Sequence, residues 1–456
     1  IAQCTMYEID LILGNYKDAI SFLNDQLIRN GNSRSALSLL SYCYFHTQDY
    51  LNAANCYEQL IQLHPDNEQY LINYAQTLYD ASLYDEAMKA TFQFEHMNKS
   101  KPNGSLSPNK SQTLKLQAAI KYGQEDYSAA KSLIDQIPND DPDKEVNLAC
   151  LLFKEGQYDK AISKLIKCFN AEGYKSDLSY NISLCFYKMK QYSSSMKYIG
   201  DIIEKGIREH PELSVGMTTE GIEVRSVGNT ITLHETCLVE AFNLKAAIEY
   251  QLKNYESAQE AMTDMPPRTE EELDAVTLHN QALISMETDP TEGFEKLQFL
   301  IQQNPFPPET FANLLLLYCK YEYYDLAADV MAENTSFTFK YLTPYLYEFL
   351  DALITQQTSP EDAYKKFDEM SVKHTDSLRK LTKLIQDAKQ SQNEEQINKY
   401  TNQYDQQLEL FIPILMAQAK IFWDFENYEK VEKVFRKSVE FCNDNDIWND
   451  NDMQMT

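Results

Sequence analysis

The sequence predicts an all-α solenoid: about ten to eleven antiparallel helix pairs stacked side by side, with one small β-hairpin inserted. Three observations lead there. The stretch Leu37 to Pro65, LSLLSYCYFHTQDYLNAANCYEQLIQLHP, reads as two short amphipathic helices around a tight turn at Gln48-Asp49-Tyr50. An aromatic residue followed three positions later by a small one recurs at Tyr16/Ala19, Tyr50/Ala53 and Tyr84/Ala87, a constant spacing of 34 residues by subtraction. Neither helix of the unit can bury its apolar stripe alone, so the unit needs copies of itself on both sides.

Within the unit, Leu37, Leu40, Ser41 and Tyr44 share one helical face, and Ala53, Tyr57 and Leu60 share another. Pro65 cannot continue a helix and closes the unit. Period, turn aromatic, small residue and closing proline together match the tetratricopeptide pattern. The period breaks after Phe94, where KSKPNGSLSPNK (99–110) reads as an exposed loop. It resumes at Tyr127/Ala130, Tyr158/Ala161 and Tyr192/Ser195. Residues 206–236 do not fit it. IEVRSV and TITLHE alternate around Gly228-Asn229, which predicts a β-hairpin, either a decorative insertion or a wedge that grips a neighbour. The beat returns at Tyr255/Ala258, Pro290/Gly293, Tyr324/Ala327, Pro360/Ala363 and Tyr428/Val431. The long polar stretch 371–408 predicts an elongated helix pair with a solvated SQNEEQ turn, and Phe435, Val439 and Phe441 mark the last helix. The expected organisation is therefore repeats over 1–205, the insertion at 206–236, repeats over 237–446 and an acidic tail at 447–456.

A formal charge of −28 and a pI near 4.6 argue against nucleic acid and anionic membranes, which need a basic footprint. Such charge suits a solvated outer face or a basic partner. No apolar run is long enough to predict membrane insertion. The nine cysteines lie scattered without CxxC or zinc spacing, which predicts buried thiols in a reducing compartment. The chain opens on Ile1 rather than Met, as a fragment or trimmed chain would. Phosphate-binding, esterase and zinc-protease motifs are all absent, so neither an enzyme nor a cofactor is expected. His64-Pro65 and His210-Pro211 fall at helix ends, and Asp140-Asp141-Pro142-Asp143 reads as a turn and helix cap rather than a calcium loop.

One positional series points to binding. Aligning the first helices on their turns superimposes Asn73, Asn147, Asn181, Asn243, Asn280 and Asn313. First helices of such repeats line the concave side, where a ladder of carboxamides can both donate to and accept from the backbone of an extended peptide. The competing reading is that each asparagine bonds within its own repeat. Tyr44, Phe186, Tyr187, Phe311 and Tyr318 are candidate aromatic walls for the same surface, although such stripes also serve as core. Lys154, Lys188 and Lys320 each follow an asparagine of the series by seven residues, a pairing that could instead clamp a peptide's C-terminal carboxylate, as in co-chaperone adaptors.

Beyond its repeats, the sequence resembles the tetratricopeptide repeat protein 30 family, also called fleer. The resemblance rests on the Leu37–Pro65 run, on YDEAMKAT from Tyr84, on VGMTTEGIEVRSVGNTITLHETCLVEAFNLKAAIEYQ from Val215, and on NPFPPETFANLLLLYCKYEYYDLAADVMAEN from Asn304. The third stretch is the most specific, because it crosses the non-repeat insertion. Membership implies a non-catalytic subunit of the intraflagellar transport complex B particle, found at the cilium or flagellum and basal body with a cytoplasmic pool. It also implies a closed superhelix around an extended, Pro-containing apolar segment of another core subunit, and contacts with further complex B proteins. After EFCNDND the chain departs from the family pattern, which is expected to continue into further helical repeats.

Overall fold

The structure, a computed structural model, describes residues 16–99, 109–216, 225–303, 306–391 and 393–442. The described residues form twenty-three α-helices and two short 3-10 turns, with no strand among them. The fold is the all-α tetratricopeptide solenoid that the period predicts. It divides into two compact units, Ile1–Gly293 and Phe294–Thr456. The loop expected at 99–110 and the tail at 447–456 fall mostly or wholly outside the described residues.

Each repeat is built the same way. In the first unit, Arg34–His46 pairs with Tyr50–Leu63, Glu68–Asp80 with Tyr84–Lys99, Asp143–Lys154 with Tyr158–Glu172, and Ser176–Lys188 with Tyr192–Glu209. Side chains of Ser33, Asp49, Asn67 and Asp126 accept the first free backbone N–H groups of the helices they precede. The small residue three positions after the turn aromatic, or after Pro360 in its place, has no room to be larger: Ala53, Ala87, Ala130, Ala161, Ser195, Ala258, Ala327 and Ala363 are all 0% exposed. At Gly293 even a Cβ would come 2.4 Å from Met286 Sδ, so glycine fits where alanine would not.

The turns share one backbone solution. The residue two before the turn aromatic adopts a positive φ at Gln48, Ser82, Glu125, Gly156, Lys190, Lys253, Glu322 and Glu426, between 55° and 75°. The next residue's N–H then reaches back to a carbonyl five positions earlier, as from Asp49 to Tyr44 and from Gln191 to Phe186, both at 2.9 Å. This left-handed closure satisfies carbonyls that the helix end leaves free. Only one of the eight positions is glycine. Replacing Gly156 by alanine is expected to cost about 1 kcal/mol, because no atom lies within 4 Å of the added Cβ and the penalty is purely conformational. Lys253→Gly is expected to lose nothing or to gain a few tenths of a kcal/mol. Urea-unfolding midpoints of the two variants check both signs.

Over seven of these eight turns an aromatic clasp closes, between the turn aromatic and the ring five residues before it; at Tyr324 that earlier position is Cys319. It recurs at Phe45/Tyr50, Tyr79/Tyr84, Tyr122/Tyr127, Phe153/Tyr158, Tyr187/Tyr192, Tyr250/Tyr255 and Trp423/Tyr428, with centroids 5.2–6.0 Å apart. Such pairs contribute on the order of 1 kcal/mol beyond area burial.

The hairpin predicted within 206–236 is corrected. Its second arm is a six-residue helix, Ile231–Thr236, and Thr230 caps it by accepting the Leu233 N–H. Leu233 is 1% exposed, so the apolar alternation feeds a helix contact rather than a strand face. The loop before it finds its partners elsewhere: Val227 N–H donates to Pro267 O at 2.9 Å, and Asn229 donates to Glu272 O at 3.0 Å. Residues 217–224, the rest of the first arm, lie outside the described residues.

In the second unit, Glu309–Lys320 pairs with Tyr324–Glu333, a short helix Thr335–Tyr341 follows, and Pro344–Thr358 leads into Pro360–Gln390. That helix and Glu394–Asp424 are each 31 residues long and run antiparallel. Pro413 sits inside the second of them and withholds one backbone N–H. Tyr345 Oη donates to the nearby Leu410 carbonyl at 2.8 Å.

Candidate partner-binding surface

The aligned asparagines differ in their environments. Asn73, on Glu68–Asp80, is half-buried and its carbonyl oxygen accepts from Gln69 Nε2 at 2.9 Å. Asn147 and Asn181 are half-buried, and among the described residues their amides make no hydrogen bond. Asn243, on Leu238–Gln251, is only 5% exposed. Its Nδ2 donates to Val239 O at 3.0 Å and to Thr277 Oγ1 at 2.9 Å, and its oxygen accepts from Asn280 Nδ2 at 2.8 Å. Two successive members of the series are thus bonded to each other across adjacent repeats. Asn313, in the second unit, is half-buried.

The Asn243–Asn280 step belongs to a longer polar network that sequence reading missed. Thr277 Oγ1 donates to Asp274 Oδ2 at 2.6 Å, and Arg268 Nη2 donates to the same carboxylate oxygen at 3.1 Å. The Arg268 side chain is 3% exposed, whereas Asp274 is 36% exposed. Glu240 lies close by, and burial first, with Asp274 adding, raises its carboxyl above the ordinary range. Arg268 lies between Pro266-Pro267 and the acidic run Glu270-Glu271-Glu272, and nothing in the residue pattern marks it as buried.

The aromatic candidates also divide. Tyr44 is half-buried and its hydroxyl accepts from Asn24 at 3.1 Å. Phe186 stacks on Tyr198 at 5.9 Å, and Tyr187 belongs to a turn clasp with Tyr192. Phe311 and Tyr318 are 0% and 1% exposed, so the structure corrects their expected place on an accessible wall to the core. Their spacing is that of a helix face packed against neighbours; Tyr318 stacks on Phe294 at 4.9 Å and its hydroxyl accepts from Gln298. The three lysines of the clamp pattern lie over rings: Lys154 over Tyr122, Lys188 over Tyr187 and Lys320 over Tyr321, at 5.6–6.0 Å.

Within the first unit, one contact joins distant parts of the chain. Gln48 Nε2 lies 3.4 Å from His234 Nε2, across 186 residues. Burial lowers the pKa of His46 and of His234; nearby His234 lowers the former further and Arg268 the latter.

The thiol chemistry is quiet. Burial pushes Cys43 and Cys56 up to about 11 and Cys185 and Cys237 up to about 12, so these groups stay protonated near neutral pH. In the acidic run, Asp141 Oδ1 accepts the Asp143 backbone N–H at 3.1 Å, and its carboxylate also accepts from Ser111 at 2.7 Å and pairs with Lys115 at 2.8 Å. Among the described residues no set of three or more His, Cys, Asp or Glu is placed to hold a metal, and no helix is long and apolar enough to cross a membrane.

Known proteins bear on this geometry. Residues 310–454 match the family model of the intraflagellar transport protein 70 C-terminal domain, and residues 12–94 match that of anaphase-promoting complex, cyclosome, subunit 3. The chain is 64% identical over 433 residues to intraflagellar transport protein 70A of Xenopus tropicalis, covering 95% of this chain and 65% of that protein. It is 58% identical over 446 residues to intraflagellar transport protein 70A of Homo sapiens, with the same coverages of 95% and 65%. The chain therefore spans about 65% of the length of the curated relatives it matches. Among solved structures, it is similar to a tetratricopeptide repeat protein from Parabacteroides merdae at 13% identity and a TM-score of 0.42, covering 61% of this chain and 96% of that one. By its repeats, its C-terminal match and its identity to these relatives, the chain is similar to intraflagellar transport protein 70 over most of its own length.

Proposed function

We propose that this chain is part of a non-catalytic intraflagellar transport complex B subunit. Its tetratricopeptide superhelix wraps an extended, Pro-containing apolar segment of another core subunit, and further complex B proteins bind around it. The protein serves cilium assembly, at the cilium or flagellum and the basal body, with a cytoplasmic pool. The names of the relatives support the transport role. The observation that carries the binding mode is the state of Asn147 and Asn181. Two carboxamides at one repeat position, partly exposed and without side-chain partners among the described residues, keep a donor and an acceptor each for a peptide backbone. A Pro-containing segment has little conformational freedom to lose on binding, which favours it as the occupant.

The test is a pull-down from ciliated-cell extract, with mass-spectrometric identification, comparing this chain with Asn147→Ala/Asn181→Ala. The expected result is recovery of complex B subunits by the unaltered chain and at least a tenfold loss by the folded variant. Undiminished recovery by that variant sinks the asparagine-mediated mode. Recovery of chaperones in place of transport subunits overturns the whole reading.

A further inference from the structure

The second unit holds a cavity of about 390 Å³, lined by residues of the helices Pro360–Gln390, Glu394–Asp424 and Tyr428–Cys442. Phe411, Leu415 and Gln418, at helical spacing on the middle helix, line one side; Asp368, Val372 and Asp376 line another. Gln418 is only 3% exposed, and among the described residues its Nε2 has no hydrogen-bond partner. A buried amide donor without an acceptor is disfavoured unless something supplies one. The carboxylates of Asp368 and Asp376 are exposed and make no ion pair among the described residues. Arg379, also on the lining, is held by Glu440 at 3.2 Å and lies over the Phe441 ring, so its bonded partner is elsewhere.

We propose that this cavity receives an extended, basic segment of a partner protein, with two lysine or arginine side chains four residues apart. The spacing follows from elementary geometry. Asp368 and Asp376 are eight helical residues apart, roughly 12 Å along the axis. In an extended strand, residues i and i+4 point to the same side roughly 13 Å apart. Two cations on such a strand meet the two carboxylates, and the aliphatic stems lie along Val372 and the apolar wall. A backbone carbonyl between them accepts from the orphaned Gln418 amide. The chain's net charge of −28 adds long-range attraction for the same class of partner. This site is independent of the asparagine surface, and its fate does not depend on that reading.

The experiment is methyl NMR on the full chain with labelled leucine and valine. The probe is the acetylated, amidated peptide Lys-Val-Thr-Val-Lys, and the control carries norleucine at both lysine positions. The expected result is a saturable shift of the Val372, Leu415 and Val434 methyl signals with the lysine peptide only. Asp368→Asn/Asp376→Asn, at exposed positions that leave the fold intact, is expected to weaken it at least tenfold, and Gln418→Leu severalfold. Equal binding of the norleucine peptide, equal binding by the aspartate variant, or no shift of those methyls at millimolar peptide each overturns the proposal.

Discussion

Asp274→Ala is expected to destabilise the first unit by about 3 kcal/mol, the low end of what breaking one side of a buried ion pair costs. Arg268 would then hold a full charge in a site where its side chain is 3% exposed, with the Glu272 carbonyl at 3.5 Å as a poor substitute. The same change removes the acceptor of the Thr277 backbone N–H and the acceptor of the Thr277 hydroxyl, at 2.9 and 2.6 Å. The figure stays near the low end because Asp274 itself keeps 36% exposure and part of its hydration. Adding Arg268→Met removes the stranded charge, so the double variant is expected to recover more than half of the loss. Urea denaturation of the single and double variants checks both. A single-variant loss below about 1 kcal/mol, or no recovery in the double, would show that the charge is not what the network stabilises.

Ala161→Leu is expected to cost about 3 kcal/mol, the upper part of the range for overpacking a filled core. Ala161 is 0% exposed and packs with Ile162, Leu165, Ile182 and Cys185, so added methyl groups must displace neighbours on two helices. Val431 offers an internal comparison. It occupies the equivalent position after Tyr428 and is 6% exposed, which shows that the requirement for a very small side chain relaxes there. Val431→Leu is therefore expected to cost less than 1 kcal/mol. Thermal unfolding of the two variants, read against the unaltered chain, decides whether the difference is real.

The period was readable because it records a steric requirement at a fixed point: where paired helices meet, only a small residue fits, and the ring beside the turn must return each time. The partner ring five residues earlier was equally visible at Phe45, Tyr79, Tyr122 and Phe153, but tetratricopeptide patterning does not direct attention to it. The left-handed turn residue was hidden, since Gln48, Ser82, Glu125 and Lys190 share a conformation and not a chemistry. The hydrogen bond from the next residue imposes that conformation whatever the side chain. The hairpin expectation failed at Thr230, where a β-branched residue serves as a helix cap and the loop finds its backbone partners at Pro267 and Glu272. For the asparagines, one sequence position covers two physical states. Asn243 is spent inside a network that depends on Thr277 and Asn280, whereas Asn147 and Asn181 are not. Burial of Phe311 and Tyr318 was likewise invisible, because an apolar stripe does not say whether it faces a neighbour or a guest.

The approach of Gln48 to His234 has a kinetic consequence. Most contacts in a helix stack join neighbours in sequence, so they form quickly and in any order. A meeting of residues 186 positions apart cannot be reached that way, because loop-closure entropy opposes it until the intervening pairs have set their angles. That contact is thus expected to form last in the first unit and to part first on warming. Its two ends register, as a vernier does, the summed small errors of every repeat between them.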